Sequence, residues 1–385
     1  MVAACPFPYP RGTPVRILRM AESLAHRGHE VHVVTYHLGD ELQRIPLNIH
    51  RIKNVKTYRK YSPGPTYKKL FVLDTLLAIK LFQVLRNYKI DLIHAHHYEG
   101  LIVGSLARSW TKHPLIYDAH TLLESELPFY PIGMPQKIKR IMGLLLDSII
   151  PKWADHVISV TSGIRDKLIT RAGISDEHIS IIANGVESIH FQTKSRTKNK
   201  EKRMIKTLIY TGNLASYQGV DIMLQAFKMV IDHRNDTRLL IISNDNFGPY
   251  ETLANQLGIR QHLEIQNIDF SGLATFLAEA DIALNPRTEC DGIPQKLLNY
   301  MAAGKPVVSF EGSAKNLEHG KTGWVVENYN IQAFSRGVIH LLENQELANH
   351  LGKGAANFVV SNYSWENTAE KVEAVYRNLL DRIIL

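Results

Sequence analysis

Asp291 to Ser309 reads D-G-I-P-Q-K-L-L-N-Y-M-A-A-G-K-P-V-V-S: a loop, a helix, a glycine turn and a buried strand. Gly292 and Pro294 mark the loop and the first helical turn, where a missing N–H costs least. Leu297, Leu298 and Met301 supply an apolar stripe at helical spacing, with Tyr300 beside them. Gly304 ends the helix, Pro306 cannot extend it, and Val307-Val308 enter a strand. A polar loop feeding a helix N-terminus offers free N–H groups and a positive dipole end, which suit a phosphate. Asp291 and Asn299 stand eight positions apart, so a loop residue and a helix residue can face one ligand. An ordinary α/β crossover reads the same way locally, so the rest of the chain has to decide.

The alternation extends in both directions. Upstream of the opening stretch lie strand 207–210, the loop T-G-N-L-A-S-Y-Q-G, helix 220–232 and strand 239–243. Helix 250–257, strand 263–266, helix 273–280 and strand 282–284 follow. Downstream come a short strand at 323–326 and helices over 331–352 and 365–384. An earlier half has the same character. Val2-Ala3-Ala4-Cys5 reads as the tail of a first strand, clipped or very short, and Gly12-Thr13 precede a helix over 15–27. A buried strand covers 30–36, a long amphipathic helix covers 70–88, and strand 90–95 delivers His96, His97 and Glu99 at its end. A later strand ends in Y-D-A-H-T, carrying Asp118 and His120. Ser162 reads as the cap of the helix after strand 156–160. In parallel α/β sheets ligands bind beyond the carboxyl ends of strands, where these groups stand.

Residues 192–203, Q-T-K-S-R-T-K-N-K-E-K-R, contain six basic residues and no aliphatic one, and read as an interdomain linker. The expected division is an N-terminal domain 1–190, a basic linker 191–203, a C-terminal domain 204–364, and a last helix 365–385 crossing back. The fold class is α/β, with two doubly wound parallel-sheet (Rossmann-like) domains facing each other across a cleft.

Composition narrows the partners. The 385 residues are 45% hydrophobic and 21% charged, a globular balance. The best candidate for a membrane span, Ile141 to Ile150, is short and carries Asp147, so no span is expected. Pro6, Pro8 and Pro10 interrupt any leader core at the start, and two distant cysteines give no disulfide framework or metal spacing. A reducing cytoplasm is expected, with the inner membrane face as a site of peripheral contact. The net charge of +8 favours anionic partners. Residues 51–69 hold seven Lys/Arg and no acid, interleaved with Tyr58, Tyr61 and Tyr67. They read as a solvated loop or as a patch for an anionic acceptor or lipid headgroups. Lys137, Lys139 and Arg140 begin a helix whose basic face reads as solvated, with docking to an acidic membrane as the second reading. Nucleic acid is not expected, because no recognition motif accompanies the charge.

The order of the motifs resembles one family. P-Y-P-R-G, R-G-H-E-V-H-V-V-T, D-L-I-H-A-H-H, Y-D-A-H-T, I-I-A-N-G-V, Y-T-G-N-L-A-S-Y-Q-G, the opening stretch and E-H-G-K-T-G-W succeed one another as in retaining GT-B glycosyltransferases of group 1, or family 4. The resemblance covers nearly the whole chain. It implies a nucleotide-sugar donor, expected to be UDP-linked, bound by the C-terminal domain, and a glycan or lipid-linked acceptor bound by the N-terminal one. It implies retained anomeric configuration, no metal and no cofactor. His120 falls on the family's active-site histidine, and Asp291 and Asn299 fall on its paired glutamates. Glu289 is nearby in sequence and could substitute for the first of them. Asn213 and Gln218 stand where the family has an Arg and a Lys, so two phosphate contacts worth about 1.5–3 kcal/mol each are missing. Lys296 and Arg287 are the nearest replacements.

On this reading His120, Asp291 and Lys296 are catalytic. Gly12, Gly212, Asn213, Gln218, Arg287, Gly292, Ile293, Pro294 and Asn299 bind the donor. His96, His97, Glu99 and Asp118 lie on the acceptor side. The missing charges favour, as the alternative, a non-catalytic sugar-nucleotide or glycan-binding protein. A phosphorylase is disfavoured, since nothing resembles a pyridoxal-phosphate lysine site.

Overall fold

The computed structural model describes all residues except 10–11, 41–45, 62–63, 65, 67, 131–132, 187–204, 269–271, 291 and 385. The linker reading at 191–203 and Asp291 therefore lie outside the described residues. The chain forms two compact units, Met1–Gly185 with Trp365–Leu385, and Val186–Ser364.

In the first unit the elements are β1 (Val2–Ala3), α1 (Gly12–His26), β2 (His32–Thr35), β3 (Asn48–Arg51), α2 (Asp74–Asn87), β4 (Ile93–His96), α3 (His97–Thr111), β5 (Leu115–Ala119), α4 (Leu123–Glu126), α5 (Gln136–Ile149), β6 (His156–Ser159), α6 (Ser162–Ala172) and β7 (Ile179–Ile181). The second unit holds β8 (Lys206–Thr211), α7 (Val220–His233), β9 (Thr237–Ile242), α8 (Gly248–Gln256), β10 (Leu263–Gln266), α9 (Leu273–Glu279), β11 (Ile282–Asn285), α10 (Gln295–Ala302), β12 (Val307–Phe310), β13 (Trp324–Val326), α11 (Ile331–Glu343) and α12 (Gln345–Asn362). Helix α13 (Trp365–Ile384) returns to the first unit.

Both sheets are parallel throughout. The first runs β3-β2-β1-β4-β5-β6-β7 and the second β10-β9-β8-β11-β12-β13. In each, the chain starts in the middle, winds one way, then reverses. The reversal opens a crevice at the carboxyl ends of the two central strands, β1/β4 and β8/β11. Strands covered on both faces must be apolar along their length, and β2, β5, β11 and β12 are buried at every residue. The first unit has a core on each side of its sheet. On one side Ile17, Met20 and Leu24 of α1 pack with Ala369, Val372 and Val375 of α13.

Several local expectations change. The helix expected over 331–352 is two helices, because the Asn344 side chain accepts from Leu347 N at 3.0 Å and caps a new start. The cap of α6 is Thr161, whose Oγ1 accepts from Ile164 N, and Ser162 is the first helical residue. The long helix from 70 opens with a wide turn over Lys69–Leu73. Lys139 is neither solvated nor on a basic surface. It is buried, and its Nζ donates to the carbonyls of Pro128 and Tyr130 at 2.7 and 2.8 Å. The basic segment 51–69 is also partly structural. Arg51 donates to the carbonyls of Phe7, Leu38 and Asp40, Tyr58 is buried, and Lys69 pairs with Glu99. No helix among the described residues is long and apolar enough to cross a membrane.

Gly352 lets α12 approach the turn after α10. A Cβ at this position would lie 2.2 Å from the Gly304 carbonyl oxygen, a backbone atom with nowhere to go. Gly352→Ala should therefore cost about 1–3 kcal/mol, read as a lower urea midpoint with an unchanged slope.

Candidate active site

In the first unit a buried carboxylate organises the strand ends. Asp118, on β5, is held by Arg16 of α1 through Nε at 3.0 Å and Nη2 at 3.1 Å. The same guanidinium donates to the Ile182 carbonyl at 3.0 Å and Asn184 Oδ1 at 2.9 Å, tying α1, β5 and the chain beyond β7 together. Burial alone would raise the Asp118 pKa, but the Arg16 guanidinium more than offsets it and holds the group well below its usual range.

Three histidines surround this carboxylate. His94 Nε2 and His96 Nδ1 each lie 3.5 Å from Asp118 Oδ2. His96 Nδ1 is 3.3 Å from His120 Nε2, and His94 Nδ1 is 2.6 Å from the hydroxyl of Tyr376 on α13. Burial lowers the pKa of all three, His96 to about 3, with His94 adding to the effect there. They are neutral imidazoles at neutral pH. The His120 ring stacks on that of His97, centroids 5.3 Å apart and planes 4° from parallel. His97 itself takes φ of 64° as the chain turns from β4 into α3. That is a left-handed conformation with a cost of order 1–3 kcal/mol, and such strain gathers at functional sites.

His94, His96 and Asp118 have ligand atoms within 4.8 Å of one another. The donor set does not fit a cation, because Arg16 already occupies both Asp118 oxygens and carries the compensating charge. Glu99 is likewise engaged. Lys69 Nζ lies 2.6 Å away and, against burial, brings its pKa down to about 2. Gly12 is the first residue of α1, and a Cβ there would meet open space.

The second unit gathers most of the predicted donor residues at the crevice between β8 and β11. Lys296, on the first turn of α10, reaches back to the loop after β8. Its Nζ donates to Gln218 Oε1 at 2.7 Å and lies 4.2 Å from the centroid of the Tyr210 ring. Gly212 takes φ of 127°, and a Cβ there would touch the Lys296 side chain at 3.8 Å. Removal from water, and then the nearby Arg287, lower the Lys296 pKa to about 7. Arg287 stacks over Tyr217 at 4.9 Å and donates to the Glu289 carbonyl.

Asn213 shapes the loop. Its Nδ2 donates to the Tyr217 hydroxyl at 3.1 Å, and its Oδ1 accepts from Ala215 N. Asn299 is buried, and its Oδ1 has no hydrogen-bond partner among the described residues. Ile293 is buried, the Gly292 carbonyl accepts from the Cys290 thiol, and Pro294 precedes α10, its carbonyl accepting from Leu297 N.

The residues that hold these in place carry no functional motif of their own. Tyr300, buried on α10, accepts from Thr211 N at 2.7 Å and so fixes the end of β8 to the helix carrying Lys296. Gly219 takes φ of 70°, with the Pro286 carbonyl only 2.4 Å from where a Cβ would stand. Arg16 was legible as a charge on the apolar stripe Ile17, Met20, Ala21, Leu24 of α1. Tyr376 lies 282 positions from His94 and carries no local signal.

Family models agree with this architecture. Residues 10–188 match Glycosyltransferase Family 4, and residues 191–358 match Glycosyl transferases group 1. The chain belongs to the group 1, family 4 glycosyltransferases, and it is a transferase with the GT-B fold. The phosphatidyl-myo-inositol mannosyltransferase of Mycobacterium tuberculosis is 24% identical, over 97% of this chain and 96% of that protein. Among solved structures, sucrose-phosphate synthase of Thermosynechococcus elongatus superposes with a TM-score of 0.82 at 18% identity, covering 96% of this chain and 94% of the other. Anabaena HepE, solved with UDP and glucose, superposes with a TM-score of 0.74 at 17% identity, covering 97% of each.

Breaking the buried pair in the first unit has a defined cost. Arg16→Met strands the Asp118 carboxylate and should lose about 3–5 kcal/mol in urea unfolding. Adding Asp118→Asn should restore part of the loss. Because the folded pKa of Asp118 is depressed, the pair's contribution is full above the usual carboxylate range and shrinks as the pH falls through the folded value.

Proposed function

We propose that this chain transfers a sugar from a UDP-linked donor to a glycan or lipid-linked acceptor, with retention of configuration and without a metal. The observation that carries the donor half is Lys296. A cation, kept from water and held by one amide oxygen and one ring face, stands at the crevice where nucleotides bind in doubly wound sheets. A diphosphate brings the charge that this site lacks, and positive charge is what its departure needs. The sugar C1–O bond to phosphate breaks, the acceptor oxygen bonds C1 on the same face, and its proton passes to the leaving phosphate oxygen. The unpartnered Asn299 Oδ1 supplies an acceptor for a ribose hydroxyl. HepE, solved with UDP-glucose, supports the donor class, and the mycobacterial mannosyltransferase, named for phosphatidyl-myo-inositol, supports a lipid-linked acceptor.

His120 has its role in transfer. As a neutral imidazole it offers the sugar hydroxyls a hydrogen bond without adding charge. Asp291 is the carboxylate assigned to the sugar hydroxyls. It lies outside the described residues, so its part rests on the resemblance alone.

Purified protein assayed with UDP-sugars by release of UDP tests the reading. Lys296→Ala should lower turnover about 100-fold or more, the loss of a charged contact to the leaving group, with the fold intact by circular dichroism. His120→Ala should lose transfer while keeping UDP affinity. Near-wild-type turnover in Lys296→Ala would overturn the assignment. Equal loss of transfer and UDP binding in His120→Ala would make that residue structural.

A further inference from the structure

Helix α5 is built with its polar side inward. Lys139, Gly143 and Asp147 are the buried residues. Asp147 accepts from the N–H groups of Leu123 and Glu124 at 3.0 Å each, and from the Tyr98 hydroxyl. Lys139 is satisfied by two carbonyls. Gly143 admits the backbone of α4, since a Cβ there would lie 2.6 Å from Glu124 N. The outward side carries Ile138, Ile141, Met142, Leu145 and Ile149, exposed by 48, 57, 37, 57 and 52%. At about 100° per residue these five fall within one stripe about 100° wide. A water-facing helix has the opposite arrangement.

The apolar ridge does not end with the helix. Phe129, between the two residues whose carbonyls hold Lys139, is 43% exposed, as is Trp153 in the turn after α5. Trp153 shares a surface cavity with Arg108 and Lys112 at the end of α3, where Trp110 is 81% exposed. Around this surface Lys112, Lys137, Arg140 and Lys152 are exposed. The acids of the same elements are engaged. Glu124 takes both Arg140 and Arg171, Glu126 accepts from Tyr130, Asp155 is bound by Arg108, and Asp147 is buried.

We propose that α5 lies in the interface of an anionic bilayer, with its isoleucine stripe among the acyl chains and the surrounding cations at the headgroups. Charge selects this occupant. A second copy would bring the same cations to a face whose acids are already paired. Anionic headgroups complement the cations, and indole rings favour the boundary between headgroup and hydrocarbon. The proposal extends the lipid-linked acceptor reading, and it stands on the surface alone.

Flotation of the full chain with phosphatidylcholine vesicles, with and without phosphatidylglycerol and in the absence of donor, tests it. The wild type should float with the anionic vesicles and less so at high salt. Ile141→Ser with Leu145→Ser, both on exposed positions, should bind about tenfold more weakly or worse at an unchanged unfolding midpoint. Lys137→Glu with Lys152→Glu should lose the preference for phosphatidylglycerol. No flotation of the wild type, or equal flotation of the serine variant, would overturn the proposal. So would a dimer that the serine variant dissociates while neither form floats. A chain that floats but transfers no sugar would leave docking standing and count against the transferase reading, and transfer without flotation would do the reverse.

Discussion

The ammonium of Lys296 is a positive charge with too few partners, and the second unit is arranged around it. Lys305, also buried, donates to the carbonyls of Ala278 and Ala280 and closes the end of α9. Lys139 is closed off by two carbonyls in the same manner. Lys296 has one amide oxygen and the face of Tyr210. Its surroundings favour the neutral amine, which is why its pKa falls to about 7. An anion arriving at the crevice reverses that preference. The loop after β8 and the start of α10 meet at this charge, and the Tyr300 bond to Thr211 keeps them together.

The first unit solves a different problem with the same chemistry. Its charges are closed among themselves: Arg16 against Asp118, Lys69 against Glu99. What reaches the strand ends is a set of uncharged imidazoles, ordered by Asp118 below and by Tyr376 at the side. Such a surface suits hydroxyl-bearing ligands, whereas the second unit holds the charge a diphosphate needs. Helix α13 belongs to this arrangement, since it supplies both the hydroxyl on His94 and part of the core over α1.

Much of this was legible in the sequence because it is periodic. The alternation of apolar runs and amphipathic stretches gave both sheets, and the strand ends gave His96, Asp118 and His120. Lys296 was legible as the nearest cation to a loop that lacks two. The failures are non-local. A K-I-K-R run reads as a solvated face, since nothing in its spacing reports that the Pro128 and Tyr130 carbonyls await Lys139. The outward isoleucines of α5 give a strong amphipathic pattern, but periodicity does not say which side is in. Asn344 sits in an unbroken helical pattern, and only its cap geometry shows the break.

Calorimetric titration with UDP in buffers of different ionisation heat tests the central claim most directly. Lys296 is largely neutral in the free protein somewhat above its pKa of about 7, and a bound diphosphate should draw a proton onto it. The account predicts net proton uptake on binding at a pH about one unit above that value, with affinity falling as the pH rises further, and loss of the uptake in Lys296→Met. Binding without proton uptake in the wild type, or the same uptake in the variant, would contradict it.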